Sequence, residues 1–394
     1  MKILMINVVC GIRSTGRICT DSALELEAKG HQVKIAYGRE DVPEQYQNYA
    51  IRIGNNFDIL LHGLKARLFD SAGFGSKKAT EKFIDWVKQY DPDVIYLHNL
   101  HGYYINLEIL FNYLRKCEKK IVWTLHDCWA FTGHCTYFDY AGCSKWQRHC
   151  YCCSQKRKYP SSFFYDRSFF NFDRKKKLFT GIKNLTIITP SEWLAKLVKK
   201  SYLKEYPIEI HNNIVDKTIF KRTSSDFKLK YGIEDSTIVL GVANIWEERK
   251  GLNDFIRLSY MLDRQYTIVL VGLKEYEYNR ACRKFNKNNR YGVTDNMTNA
   301  ILKTPKGAVV PANVYAIYKV ITGKEYNIKE RHELSRVIPI ERTKNVDELV
   351  QIYSAADFFV NPTREENYPT VNLEASACGT YIITYDTGGC AETI

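Results

Sequence analysis

The chain has 394 residues, 45% of them hydrophobic, and a formal net charge of +13 at pH 7. That length is comfortable for two domains with a core each, and no apolar run approaches the roughly 20 residues of a membrane-spanning helix. The positive balance asks for an anionic partner: nucleic acid, anionic lipid or a phosphorylated substrate.

Residues 2–8 read as a first strand, too short and too early for a secretory signal, and the expected location is cytoplasmic. A loop with Gly11, Ser14, Thr15 and Gly16 follows. A helix then runs to about Lys29, Gly30 ends it, and residues 32–37 are the next strand. Short strands recur at 93–97, 120–125 and 185–189. Ser191 stands as the N-cap of a helix to about Lys200, and 208–211 is the last strand of this half. Residues 212–216 break the pattern. A second alternating set then runs from strand 237–242 through a helix after Gly251 and strand 267–271. It resumes with strand 337–340, helix 346–355 and strand 358–360. Strands alternating with helices argue for parallel, doubly wound sheets. The expected architecture is therefore α/β, with two Rossmann-like domains, 1–215 and 216–394, facing a cleft.

Twelve cysteines in a chain read as cytosolic are thiols or metal ligands rather than disulfides. Five cluster: Cys135, Cys143, Cys150, Cys152 and Cys153. Cys150-x-x-Cys153 has metal-ligand spacing, and Cys135 with Cys143 would complete a four-thiolate structural zinc site, with His134 in reserve. Simple buried thiols are the competing reading. Directly after, residues 156–177 interleave Phe163, Phe164, Phe169, Phe170 and Phe172 with Arg167 and Lys175, Lys176 and Lys177. Such a mixture suits an anionic membrane surface, but the first reading is a helix packed by its aromatics with a solvated basic face. No nucleic-acid-binding motif accompanies the charge, so nucleic acid is not an expected partner.

The most informative segment is near the end. Phe358 to Asn361 is β-rich, Pro362 to Asn367 is breaker-rich, Pro369 suits a first helical turn and Gly379 closes the helix. Glu366 thus lies just before a helix N-terminus, where free N–H groups favour a phosphate. Glu374 lies over a turn inside, on the face of Thr370. Two carboxylates flanking a phosphate-binding terminus suit a nucleotide sugar.

Glu366-Asn-Tyr-Pro…Glu374-Ala-Ser-Ala-Cys-Gly379 resembles the E-x7-E signature of retaining family 4 glycosyltransferases, whose fold is GT-B. The resemblance implies that Glu366 touches the donor sugar and Glu374 the ribose. Ile210-His-Asn-Asn-Ile-Val-Asp216 is similar to the family's domain join. Thr124-Leu-His126-Asp127 is similar to its strand-end His-Asp, which makes His126 a donor-sugar contact. His98 and His101 follow another strand and would shape the acceptor pocket. The loop with Gly16 and Arg17 would lie near the donor diphosphate. Gly241-Val-Ala-Asn-Ile-Trp-Glu-Glu-Arg-Lys250-Gly251 resembles the family's phosphate element, with Lys250 on the diphosphate. The family's arginine is missing, since Asn244 and Ile245 stand in its place, and Arg249 is the candidate substitute. Asp386-Thr-Gly388-Gly389-Cys-Ala-Glu392 resembles the loop that brings backbone to the donor. The segment at about 275–335, which includes the basic run 283–292, has no counterpart and reads as an insertion. The resemblance also implies closing helices past Ile394, which are expected to be missing here.

The resemblance thus implies a retaining glycosyltransferase that moves a sugar from a nucleotide-diphosphate donor, UDP first and GDP second, to a glycan or lipid-linked acceptor. Bacterial capsule, lipopolysaccharide and exopolysaccharide enzymes are the nearest type, placed on the inner face of the cytoplasmic membrane. No cofactor is expected for catalysis, because this fold supplies cations from side chains and helix dipoles. A nucleotide-sugar epimerase of the same architecture and a non-catalytic nucleotide-sugar-binding protein are the alternatives.

Overall fold

The computed structural model describes residues 1–288, 302–327 and 334–394. They form two compact units, Met1–Asn213 and Ile214–Ile394. Each is built on a seven-stranded sheet, and no helix among the described residues is long and apolar enough to cross a membrane.

The first unit runs β1 (Lys2–Ile6), α1 (Arg13–Ala28), β2 (Gln32–Tyr37), β3 (Ala50–Arg52), α2 (Asn56–Phe69), α3 (Lys77–Tyr90), β4 (Val94–Leu97), α4 (Leu107–Leu114), β5 (Lys120–Thr124), α5 (Ser168–Phe179), β6 (Leu185–Thr189), α6 (Glu192–Val198) and β7 (Ile208–Ile210). The strand order is β3-β2-β1-β4-β5-β6-β7, and all neighbours are parallel. Successive side chains of a strand point to opposite faces. Leu4 and Ile6 therefore enter one core with Ile95, Leu97 and Trp123, while Ile3 and Met5 enter another with Cys19 and Ala23 of α1. Burial on both faces explains the unbroken apolar runs of these strands. Ser191 caps α6 as its position suggests, its hydroxyl accepting from Leu194 N–H at 3.0 Å.

The second unit runs α7 (Phe227–Tyr231), β8 (Thr237–Val242), α8 (Leu252–Met261), β9 (Tyr266–Val271), α9 (Glu275–Asn288), β10 (Leu302–Thr304), β11 (Gly307–Val310), α10 (Val314–Thr322), β12 (Arg336–Ile340), α11 (Val346–Ala355), β13 (Phe358–Asn361), α12 (Thr370–Ala377) and β14 (Tyr381–Tyr385). Its strand order is β10-β11-β14-β13-β8-β9-β12. β10 is antiparallel to β11, and the other described pairs are parallel. Alternation again divides the strands. Ile268 and Leu270 face one core, and Val269 and Val271 the other.

Four expectations change. Ser14, Thr15 and Gly16 belong to α1, because the helix already starts at Arg13. Pro369 is the N-cap of α12 rather than its first helical residue, and Gly379 follows in the left-handed region at φ +79°. The segment expected as an insertion is partly integral. β11 pairs in parallel with β14, and Ala308, Val310, Val314 and Ile317 enter the core. The basic run 283–292 continues from α9 beyond the described residues. Finally, the aromatic and basic stretch at 156–177 is not one surface. Phe172 and Lys175 are buried, whereas Phe163, Phe164, Phe169 and Phe170 are exposed.

Candidate functional site

In the second unit the chain leaves β8 toward β9 and β12, whereas β13 lies on the other flank of β8 and leads on to β14. Connections diverge between β8 and β13, and the crevice outside the carboxyl ends at such a point is where an open parallel sheet takes a ligand. Three loops meet there, 243–251 after β8, 362–369 after β13 and 386–389 after β14.

The turn Glu248–Lys250 ends on Gly251, where a Cβ would lie 2.5 Å from the Pro362 carbonyl oxygen. Glycine at φ +76° lets the two loops touch. Lys250 Nζ then donates to Glu366 Oε2 at 2.5 Å, with side chains only 19% and 21% exposed. The other carboxylate oxygen accepts from Asn367 N–H at 3.1 Å. Arg249 clips onto the same loop. Its carbonyl accepts from Arg364 N–H at 2.8 Å, and its Nη1 donates to the Glu365 carbonyl at 3.2 Å. Burial pushes the Glu366 carboxyl up, but Lys250 and then Arg249 outweigh it and hold the group below the usual carboxylate range.

Gly388 and Gly389 fix the backbone of the same residue. Gly389 N–H donates to the Glu366 carbonyl at 3.2 Å. A Cβ on Gly388, at φ +58°, would lie 1.8 Å from that oxygen. Arg364 does not join Lys250, because its guanidinium makes a two-pronged pair with the buried Asp254 at 2.6 and 3.2 Å. Thr370 opens α12, whose N-cap Pro369 provides no capping side chain. One turn on, Glu374 is only 2% exposed and accepts from the Tyr353 hydroxyl at 3.1 Å. A pocket of about 460 Å³ lies at the ends of β8 and β9, lined by Asn244, Ile245, Trp246, Gly272 and Leu273 with Glu277, Arg280 and Lys284 of α9. Sequence reading missed this pocket, because the 241–251 motif supplies only part of its wall and the rest comes from the turn after β9 and from α9, which carry no motif.

In the first unit the connections diverge between β1 and β4. Gly16 is buried inside α1, where a Cβ would press on Val9 at 3.1 Å, and Arg17 is exposed on the same helix. At the ends of β4 and β5 the structure gathers His98, His101, His126 and Asp127. His98 Nδ1 lies 3.0 Å from His126 Nε2. His101 bridges Asp127 at 2.8 Å and the Tyr159 hydroxyl at 3.0 Å. Tyr159 was not anticipated, since it enters from a loop far along the chain. Burial lowers the His126 pKa to about 4, and burial with the neighbouring His126 lowers that of His98 to about 3. Both rings are neutral at pH 7.

This carries a stability cost in acid. Unfolded histidines titrate near 6.5, so between that value and the folded values the unfolded chain binds more protons. The contribution is complete above about pH 6.5 and is lost as the pH falls toward about 4. At about 1.4 kcal/mol per unit, the pair accounts for several kcal/mol. Urea midpoints at pH 7.5 and 5 should therefore fall steeply for the parent and less for a His98→Asn/His126→Asn variant. Equal falls would assign the loss to other groups.

Among the described residues, no three His, Cys, Asp or Glu side chains are placed to share a metal ion. Cys135 and Cys153 hydrogen-bond to each other, which lowers the Cys153 thiol to about 7. Cys150 Sγ turns to accept from Gly133 N–H at 3.2 Å, and Cys143 packs half-buried on the core. Of the four thiols expected to hold zinc, Cys135, Cys150 and Cys153 thus have hydrogen-bond partners. His134 instead pairs with the buried Asp70 at 2.6 Å. Lys175, expected at the surface, donates to the Trp129 carbonyl at 2.5 Å, and burial lowers its pKa to about 7.

Comparison with known proteins bears on the family and the fold. A family model described as "Glycosyl transferases group 1" matches residues 307–394, so its match begins within the segment expected as an insertion. The chain is 28% identical over 172 residues to WcaC of Escherichia coli (strain K12), named as a colanic acid biosynthesis glycosyl transferase. That match covers 42% of this chain and 41% of the relative, less than half of either. Similar solved structures include sucrose-phosphate synthase from Thermosynechococcus elongatus, at TM-score 0.60 and 16% identity over 98% of this chain and 82% of the other. Anabaena HepE in complex with UDP and glucose follows at TM-score 0.57 and 14% identity, over 100% of this chain and 83% of the other. At such identities these structures establish the fold alone. The model "Glycosyltransferase Family 4" matches residues 15–218, more than half of the length, and the chain therefore belongs to that family, with two Rossmann-like units of the GT-B type.

Proposed function

We propose that the chain moves a sugar from a nucleotide-diphosphate donor, UDP first and GDP second, to a glycan or lipid-linked acceptor, with retention at the anomeric carbon. The observation that carries the reading is the Lys250–Glu366 pair, held at 2.5 Å at the point where the sheet connections diverge. HepE and an E. coli trehalose-6-phosphate structure carry UDP or UDP-sugar ligands, which supports the choice of donor. The name of WcaC supports a role in surface polysaccharide.

In this reading the Lys250 ammonium turns to the departing diphosphate, and the first N–H groups of α12 add their dipole. Glu366, kept ionised beside two cations, accepts hydrogen bonds from sugar hydroxyls and so orients the anomeric carbon. As the C–O bond to the diphosphate breaks, positive character grows on that carbon. The acceptor hydroxyl forms the new bond on the same face, and its proton goes to the leaving phosphate. His126, neutral at pH 7, serves the sugar as a hydrogen-bonding group rather than as a cation. The chemistry needs no enzymic nucleophile.

The test is a thermal-shift screen of UDP, GDP, ADP and their sugars on the parent and on Glu374→Gln and Tyr353→Phe variants. A ligand at 100 times its Kd stabilises by about 2.7 kcal/mol, a shift of several degrees. One nucleotide family should stabilise the parent, and Glu374→Gln should weaken that response at least about tenfold by removing a charged acceptor. Tyr353→Phe should leave most of it. A response unchanged in Glu374→Gln would make Glu374 a purely internal partner of Tyr353. No response to any nucleotide would sink the donor reading.

A further inference from the structure

The outward face of α2 carries the wrong chemistry for water. Phe57, Leu60, Leu61 and Leu64 are 65%, 64%, 40% and 49% exposed. Their spacing is that of the apolar stripe which an ordinary helix turns inward. The inward face is instead polar and small. His62 accepts from Gly73 and Gly75 N–H at 3.1 and 3.0 Å and meets Ser76 Oγ at 3.0 Å, and Gly63 and Ala66 let the helix lie close. Docking through that histidine forces the leucines outward.

A second segment extends the patch. Phe163, Phe164 and Tyr165 are 52%, 69% and 57% exposed. The loop is fastened to the end of α2, since Phe163 N–H donates to the Arg67 carbonyl at 2.8 Å and the Tyr165 ring stacks on Phe69 at 5.8 Å. Lys65 and Arg67 of α2, and Arg157, Lys158 and Arg167 beside the loop in sequence, are exposed. Asp58 and Asp166 are the acidic side chains of the same two segments, and Asp166 already holds the N–H groups of Cys153 and Ser168.

We propose that this surface of the first unit docks on an anionic lipid bilayer, the aromatic and leucine side chains entering the headgroup layer and the cations meeting lipid phosphates. Charge selects this occupant. A second copy of the chain would set these cations against one another, because a two-fold contact pairs a patch with the same patch. The surface is also joined to the strand-end histidines. Arg67 lies over the Tyr103 ring at 5.8 Å, Tyr103 meets Tyr159 at 6.2 Å, and Tyr159 bonds His101. An acceptor carried by the bilayer would thus arrive beside His101 and Asp127. The docking itself does not depend on the sugar-transfer reading, and the two are measured separately.

The test is co-sedimentation of the full chain with vesicles of phosphatidylcholine alone and of phosphatidylcholine with phosphatidylglycerol. The parent should bind the phosphatidylglycerol vesicles and release with salt. Leu60→Glu/Leu64→Glu should lower that binding at least about tenfold, with its melting temperature and its response to nucleotide unchanged. Lys158→Glu should weaken the dependence on phosphatidylglycerol while keeping the fold. Absence of parental binding would overturn the proposal, as would a double variant that binds like the parent. A parental dimer that the double variant dissociates would also overturn it, by assigning the face to a second copy.

Discussion

Replacing Lys250 by alanine is expected to lower turnover about 100- to 1,000-fold, the usual cost of removing one preorganised donor to developing negative charge. The ammonium has one observed partner in the site, Glu366 Oε2 at 2.5 Å, and no other lysine comes from this loop. Arg249 is turned to Glu247 and to the Glu365 carbonyl, so it is not poised to replace it. The same change removes the larger of the two cationic influences on Glu366. Burial would then dominate, the carboxyl pKa would rise, and the acid limb of the pH–rate profile should move to higher pH. Loss of a charged hydrogen bond would cost about 1–3 kcal/mol of stability. Donor consumption measured against pH, together with urea unfolding, separates the two effects. Lys250→Arg should retain part of the turnover by keeping the charge. Turnover at the parental level in Lys250→Ala would reduce Lys250 to a structural partner of Glu366.

Gly388→Ala should be nearly as damaging, for a steric reason. The residue sits at φ +58°, and its new Cβ would lie 1.8 Å from the Glu366 carbonyl oxygen. That oxygen is backbone and cannot swing away, so the 386–389 loop must lift and take the Gly389 N–H with it. Activity should fall about 100-fold as Glu366 loses its support, and stability by about 1–3 kcal/mol. Gly232→Ala is the control. Gly232 is also left-handed, at φ +61°, in the same unit, with nothing within 4 Å of the added Cβ. It should show the backbone strain alone and keep its activity. Equal activity losses in both variants would mean that general destabilisation, not the contact with Glu366, explains the defect.

The parallel strands were legible because burial on both faces demands unbroken apolar runs, and residues 3–6, 238–240 and 268–271 are such runs. Glycines at sharp turns were legible for a related reason, since Gly251, Gly379 and Gly388 all take positive φ. α2 was not legible. Its apolar stripe faces outward, and what places it is His62 meeting Gly73, Gly75 and Ser76, partners that helical periodicity cannot reveal. The parallel pairing of β11 with β14 was equally hidden, because Val310 meets Tyr385, 75 positions further along the chain.

Cysteine spacing left a shared metal and simple buried thiols both open, because thiol direction depends on local backbone. Cys150 turns to Gly133, and Cys135 to Cys153. Lys175 was misjudged for the same reason. Its place in a run of three lysines suggested the surface, but α5 turns it inward onto Trp129.

For the site, local chemistry in the sequence pointed to Glu366 and Glu374 around a helix N-terminus, whereas Lys250, Gly388, Gly389 and His126 were named by the resemblance of their segments to family motifs. Only the tertiary structure decided their pairing, joining Lys250 to Glu366 across 116 positions and burying Glu374 against Tyr353. It also assembled His101 with Asp127 and Tyr159. Backbone turns and strand runs follow from residues close in sequence. Ion pairs, pocket walls and shifted pKa values depend on which loops the sheet order brings to one edge, and that order is set by packing the whole chain.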